Sequence, residues 1–187
     1  MYSVSDLKKG LKIEVDGQPC EIVEFQFVKP GKGQALYRCK IRNLLSGGTV
    51  EKTFRSADKI DETNCFEKAL TYSYHDGNNY VFMDDDTYEQ VLVGADALGD
   101  SVKYLQEDMQ VKVLFHNDRA IGVTLPNFIE TVILETEPGA RGDTATNVLK
   151  PAKVEGGLEI AVPLFVKEGD RVRIDTRTGD YADRVKS

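Results

Sequence analysis

Short runs of alternating apolar and polar residues, broken by turn signals, constrain this chain more than any other feature. Val23, Phe25 and Phe27 alternate with Glu24 and Gln26. Tyr37, Cys39 and Ile41 alternate with Arg38, Lys40 and Arg42. Val111, Val113 and Phe115 repeat the pattern, as do Val172 and Ile174 between Arg171, Arg173 and Asp175. Successive side chains on a strand point to opposite faces, so each run predicts a strand with one apolar face. In residues 37–42 the polar face is wholly basic. Between the runs stand Asp16-Gly17, Pro30-Gly31, Gly47-Gly48, Asp76-Gly77, Pro138-Gly139, Glu168-Gly169 and Thr178-Gly179. Many short strands at this spacing predict an all-β chain of small barrels or sandwiches. Helical signal is confined to two short stretches. Asp86-x-x-Glu89 resembles a capping box leading into residues 88–92. Asp100 is placed to cap a short turn through Leu105.

The chain has 187 residues, long enough for two ordinary domains or three small ones. Charge marks the divisions. Residues 1–64 carry a balance of +2, residues 65–128 of -7 and residues 129–187 of -2. Boundaries are therefore expected near residue 64 and, after the Leu125-Pro126-Asn127 turn, near residue 128. That gives domains 1–64, 65–128 and 129–187. The overall charge of -7 argues against simple coating of nucleic acid, but the distribution is polar. Between Glu24 and Glu51 there is no acid and there are five bases, Lys29, Lys32, Arg38, Lys40 and Arg42. Such an end can orient a protein on a large charged partner.

No run of about 18 apolar residues is present, so no membrane span is expected. No apolar signal segment opens the chain. Cys20, Cys39 and Cys65 are widely spaced without a C-x-x-C pair, which speaks against a zinc site or disulfide framework and for a reduced, cytoplasmic setting. No metal and no cofactor are expected. Asp84-Asp85-Asp86 lacks the glycine and the closing glutamate of a calcium loop and reads as an acidic turn. Arg141-Gly142-Asp143 spells an adhesion tripeptide by chance. His75 and His116 end strand-like runs without a catalytic partner at a known spacing. Tyr72, Tyr74 and Tyr80 follow a strand pattern, suited to barrel packing or to stacking on bases. Gly31-Lys32 lacks a phosphate-loop context. No carboxylate pair stands out for hydrolysis, so an enzyme is not expected. A generic single-strand RNA-binding module is disfavoured by the overall acidity.

The loop Val28-Lys29-Pro30-Gly31-Lys32-Gly33-Gln34-Ala35 joins two of the alternating runs. Pro30 fixes its own φ, and Gly31 and Gly33 permit positive φ. The loop can thus turn tightly with Lys32 projecting from a slender tip. Arg38, Lys40 and Arg42 on the next strand could steady the neck against an RNA backbone. By spacing alone the same loop also reads as an ordinary exposed hairpin turn.

A resemblance separates the two readings. The stretch KPGKGQALYRCKIRNLLSGGTVEKTFRSADKI resembles the first domain of bacterial elongation factor P. GDTATNVLKPAKVEGGLEIAVPLFVKEGDRVRIDTRTGDYADRV resembles the end of that family, and YVFMDDDTYEQVLV its middle. The likeness runs through the whole chain in one register. It implies a KOW-like (SH3-like) barrel followed by two OB-fold barrels, in an L-shaped arrangement like a tRNA. It further implies a non-enzymatic factor that binds the 70S ribosome beside peptidyl-tRNA, contacting ribosomal RNA and proteins. There it would relieve stalling at consecutive prolines. The tip lysine, here Lys32, would approach the CCA end of the peptidyl-tRNA and could be extended by a lysine-modifying enzyme. Lys29, Pro30, Gly31, Gly33 and Gln34 complete the tip. Gly142, Asp143 and Thr144 match a third-domain loop turned towards the small subunit and messenger RNA. Tyr181 and Arg184 match a terminal pair near the tRNA anticodon stem. The intact K-P-G-K-G tip favours the factor over its elongation-factor-P-like paralogue.

Overall fold

The computed structural model describes residues 1–139 and 148–186. Its strands form three curled sheets, each a half-barrel. By compactness the chain divides into two units, residues 1–68 with 113–122, and residues 69–112 with 123–187.

The first sheet contains β1 (Tyr2–Ser3), β2 (Lys12–Val15), β3 (Gln18–Val28), β4 (Leu36–Asn43), β5 (Thr49–Arg55) and β6 (Lys59–Glu62). Their spatial order is β1-β6-β2-β3-β4-β5. Asp16 and Gly17 close the β2–β3 hairpin with φ of 52° and 75°. Two successive positive φ values match the right-handed strand twist, which explains an Asp-Gly pair there. Val4, Leu7, Ile13, Cys20, Ile22, Cys39, Ile41, Phe54 and Ile60 form the core inside the curl.

The second sheet holds β7 (Cys65–His75), β8 (Tyr80–Met83), β9 (Gln90–Val93), β10 (Gln110–His116) and β11 (Arg119–Thr124). Val111, Val113 and Phe115 are buried as their alternation requires. The tyrosines depart from the expected pattern. A bulge between Tyr72 and Tyr74 sets Tyr72 opposite Phe82 but Tyr74 opposite Val81. Tyr72 and Tyr80 therefore share a face with Phe82, while Tyr74 points the other way and is exposed. The helix expected over residues 88–92 does not form. Asp84 instead accepts from the Asp86 and Thr87 amides at 2.9 and 3.3 Å. Tyr88 then adopts a φ of 58°, which ends any helical path, and β9 begins at Gln90. The second expected turn exists as a 3-10 helix at Gly99–Tyr104, and the short α1 (Ala95–Leu98) before it lies outside that expectation. Leu98, not Asp100, holds the N-cap position of that 3-10 segment.

The third sheet is β14-β13-β12-β15-β16, from β12 (Phe128–Thr136), β13 (Leu149–Val154), β14 (Glu159–Pro163), β15 (Arg171–Asp175) and β16 (Tyr181–Arg184). Ile129, Ile133, Val154, Val162, Val172 and Ile174 fill its interior. No helix among the described residues is long and apolar enough to cross a membrane.

Candidate functional site: a lysine-tipped hairpin

β3 and β4 pair out to Val28 and Leu36, which leaves residues 29–35 as the closing loop. Lys29, Pro30, Gly31, Lys32, Gly33 and Gln34 are all exposed. Gly33 has a φ of 119°, a conformation that side chains rarely adopt, so the glycine is required there. A Cβ on Gly33 would lie 3.8 Å from the Pro30 ring, so proline and glycine close the base of the tip together. Gly31 does not use a positive φ, and a Cβ there would meet open space.

The hairpin below the loop has two unlike faces. Between Ile22 and Glu24 the β3–β4 register slips by one residue. Below this bulge Ile22 faces Ile41 in the core; above it Phe25 faces Cys39 and Phe27 faces Tyr37. The alternation through Val23, Phe25 and Phe27 thus holds for the outer half of the strand, while Ile22 supplies the core contact. A bulge also sharpens the local twist and re-aims what lies beyond it.

On the outward face stand Arg38, Lys40 and Arg42, but β3 sets acids opposite two of them. Arg42 pairs with Glu21 at 2.8 Å and Lys40 with Glu24 at 3.7 Å. Arg38 lies opposite Gln26 on one side and Thr53 on the other. It has no carboxylate partner among the described residues, and the same holds for Lys29 and Lys32. A groove of about 240 Å³ runs along this face, lined by Gln26, Arg38, Lys40, Glu51 and Thr53 among others. The three bases are therefore unequal. Arg38, nearest the tip, keeps its donors free for an anion, whereas Lys40 and Arg42 are already partly neutralised.

On the opposite face three rings cluster. The Phe27 and Tyr37 centroids are 5.1 Å apart and those of Phe25 and Tyr37 6.2 Å. Phe27 is 50% exposed and Phe25 38%. The alternation shows that these residues share a face; that its outer end, at Phe25 and Phe27, stays partly exposed could be learned only from the extent of the sheet.

The remaining candidates lie elsewhere in the chain. Gly142, Asp143 and Thr144 lie outside the described residues. Tyr181 and Arg184 are on β16, in the other compact unit from the tip. Arg184 reaches Asp170 at 3.6 Å and lies over the Phe165 ring at 5.3 Å. Burial, with the nearby Asp183 charge, pushes the Tyr181 hydroxyl up from its ordinary value, so it remains a neutral donor. Arg184 stands opposite Val172 and Tyr181 opposite Ile174, so the neighbouring pairs Arg171–Glu130 at 3.4 Å and Arg173–Asp183 lie on the other face of the sheet, and Arg177 pairs with Asp175 at 2.8 Å in the turn after β15. The single long contact with Asp170 leaves most of the Arg184 donors open, with the guanidinium about half exposed. Among the described residues no cluster of His, Cys, Asp and Glu could hold a metal. Cys20 and Cys39 are buried, and burial pushes both thiols up.

Small curled barrels and a loop-borne lysine define a class that comparison with known structures makes concrete. A Methanococcus jannaschii protein described as eukaryotic translation initiation factor 5A superposes with a TM-score of 0.50 at 25% identity. The match covers 65% of this chain and 95% of that one. These features place the chain among KOW-like and OB-barrel translation factors. Family models resolve it further. The elongation factor P KOW-like domain matches residues 3–60, its OB domain residues 66–123, and its C-terminal domain residues 123–184. Elongation factor P of Desulforapulum autotrophicum is 53% identical over 185 residues, covering 99% of both chains. That of Syntrophomonas wolfei is 49% identical over 99% of this chain and all of its own length. The chain belongs to the elongation factor P family, a family of translation factors.

Proposed function

We propose that this chain is a non-enzymatic elongation factor that binds the ribosome next to peptidyl-tRNA and stimulates peptide-bond formation, relieving stalls at consecutive prolines. The observation that carries the reading is the exposed tip. Lys32 stands on a narrow glycine-flanked loop with Lys29, and Arg38 follows on β4; among the described residues none of the three has a carboxylate partner. A flexible cation on such a loop suits a crowded, phosphate-lined space.

Proline is a constrained imino acid and a poor partner in peptide transfer. A bound factor can speed that transfer by holding the peptidyl-tRNA in a reactive geometry, with no acid–base group of its own. Lys32 acts as a positioning cation and donor, and a modifying enzyme that lengthens it would extend its reach. The work divides over three domains, 1–64, 65–128 and 129–187, in the cytoplasm. The first carries the tip to peptidyl-tRNA. In the third, Tyr181 and Arg184 serve contact with the anticodon stem, and Gly142, Asp143 and Thr144 contact with the small subunit and messenger RNA.

The test is translation of a Pro-Pro-Pro reporter in a purified bacterial system lacking its own factor, with an Ala-Ala-Ala reporter as control. Protein purified from its own host is expected to rescue the proline reporter selectively. Lys32→Ala is expected to lose at least tenfold of that rescue. No rescue by the native protein at saturation would sink the reading.

A further inference from the structure

We infer that the aromatic face of the tip hairpin, centred on Phe27, is a stacking platform for an unpaired RNA base. The inference rests on the function proposed above and adds a contact to it. Phe27 lies at the outer end of β3, one residue short of the Val28–Leu36 pair that opens the tip loop. Its ring leans on Tyr37 at 5.1 Å, and Tyr37 packs in turn against the barrel core. Phe27 is thus propped from one side and half exposed on the other. A ring held in this way does not need to be ordered when a flat partner arrives.

Charge chooses the partner. Residues 25–50 contain no acid. Lys52 shares the face, because it pairs with Cys39 as Phe25 does, and its ammonium lies 5.6 Å over the Phe54 ring. Lys29 follows two residues after Phe27, and neither it nor Lys32 has a carboxylate partner among the described residues. Exposed rings set among unpaired cations are the combination that binds single-stranded nucleic acid, the rings taking bases and the cations taking phosphates. A protein partner for this surface would need apolar groups surrounded by acid. An RNA end meets both requirements with one nucleotide. At the tip the unpaired segment within reach is the 3′ end of the tRNA that Lys32 approaches, so the base is assigned to that end.

The test uses ribosomes carrying a P-site tRNA whose terminal adenine is replaced by 2-aminopurine, whose fluorescence falls on stacking. Native protein and Phe27→Tyr, which keeps the ring, are expected to quench it. Phe27→Leu, apolar but without a ring, is expected to leave it bright and to lose about tenfold of Pro-Pro-Pro rescue, the scale of one base–aromatic stack. Unchanged fluorescence on adding native protein that does rescue the proline reporter overturns the inference and leaves the proposed function standing. So does Phe27→Leu rescuing and quenching like native. Full rescue by Phe27→Leu with reduced Lys32 modification in the host also overturns it, in favour of a protein docking face. Failure of native protein to rescue at all is the distinct result that removes the underlying function. Because the native chain alone can overturn the inference, its test survives any folding defect in the variants.

Discussion

At the scale of residues, three neighbouring bases on one strand carry different chemistry. Arg42 is tied to Glu21 and Lys40 to Glu24, while Arg38 faces the neutral Gln26 and Thr53. Cations that neutralise phosphates release counterions, and each contact steepens the salt dependence of binding by nearly one unit on a log–log plot. Arg38→Ala is expected to weaken ribosome binding and to reduce that slope by about one. Arg42→Ala acts differently, because it strands Glu21 rather than removing a phosphate contact. Its slope is expected to stay near native, and the double variant Arg42→Ala, Glu21→Gln to bind like the native chain. Affinity measured from low to high salt for the variants checks this. Equal slopes for Arg38→Ala and native protein would show that Arg38 meets no phosphate. The distinction was not legible from residues 37–42 alone, since it depends on what β3 sets across the ladder.

At the scale of elements, what could be read from the sequence and what could not divide along one physical line. Period-two alternation is local, so β4, β10 and β15 and their buried residues follow from it. Asp-Gly at the β2–β3 turn and glycine at position 33 follow from backbone sterics, which are also local. Register is non-local. The slip at Val23 and the one between Tyr72 and Tyr74 are settled by the partner strand, and each altered which side chains share a face. The failed helix over residues 88–92 is a competition between two local motifs. Asp84, outside the motif used to expect that helix, takes the amides at its start. The Val23 bulge also makes a prediction about function. The ladder already skips Val23, so deleting it leaves Ile22 opposite Ile41 and Glu24 opposite Lys40. The fold is expected to survive, with a melting midpoint within a few degrees of native. The added twist disappears, however, and the tip is aimed elsewhere. Pro-Pro-Pro rescue should therefore fall by tenfold or more. Native-like rescue would mean that the bulge has no part in aiming Lys32.

At the scale of the whole molecule, charge is managed in three ways. Among the described residues the tip cations have no carboxylate partner, residues 65–128 carry most of the excess acid, and Arg171, Arg173, Arg177 and Arg184 each sit beside a carboxylate. This last arrangement sets a pH dependence. Hydrogen bonds and charge from Arg173 hold the Asp183 carboxyl below the ordinary carboxylate value, and Arg177 does the same for Asp175. The backbone amide and hydroxyl of Ser3 lower Asp6, and the amides of Asn79 and Asn78 lower Asp76. A group whose pKa is lower in the folded chain binds fewer protons there than in the unfolded chain. Its stabilising effect is complete above the unfolded value, 3.8 for these aspartates, and is lost as pH falls through the lower folded value. These four groups therefore predict a flat thermal midpoint between pH 7 and about pH 5, then a decline that steepens below pH 4. The double variant Asp175→Asn, Asp183→Asn should melt lower than native at pH 7 and converge with it at pH 2, where the native carboxylates are protonated too. Asp183 is half exposed and Asp175 less so, while both partner arginines reach solvent, so high salt should narrow the gap between variant and native at neutral pH without closing it. A gap that persists at pH 2 would show that the asparagines disturb packing rather than remove charge pairs. Circular-dichroism melts at several pH values, with and without added salt, separate the two outcomes.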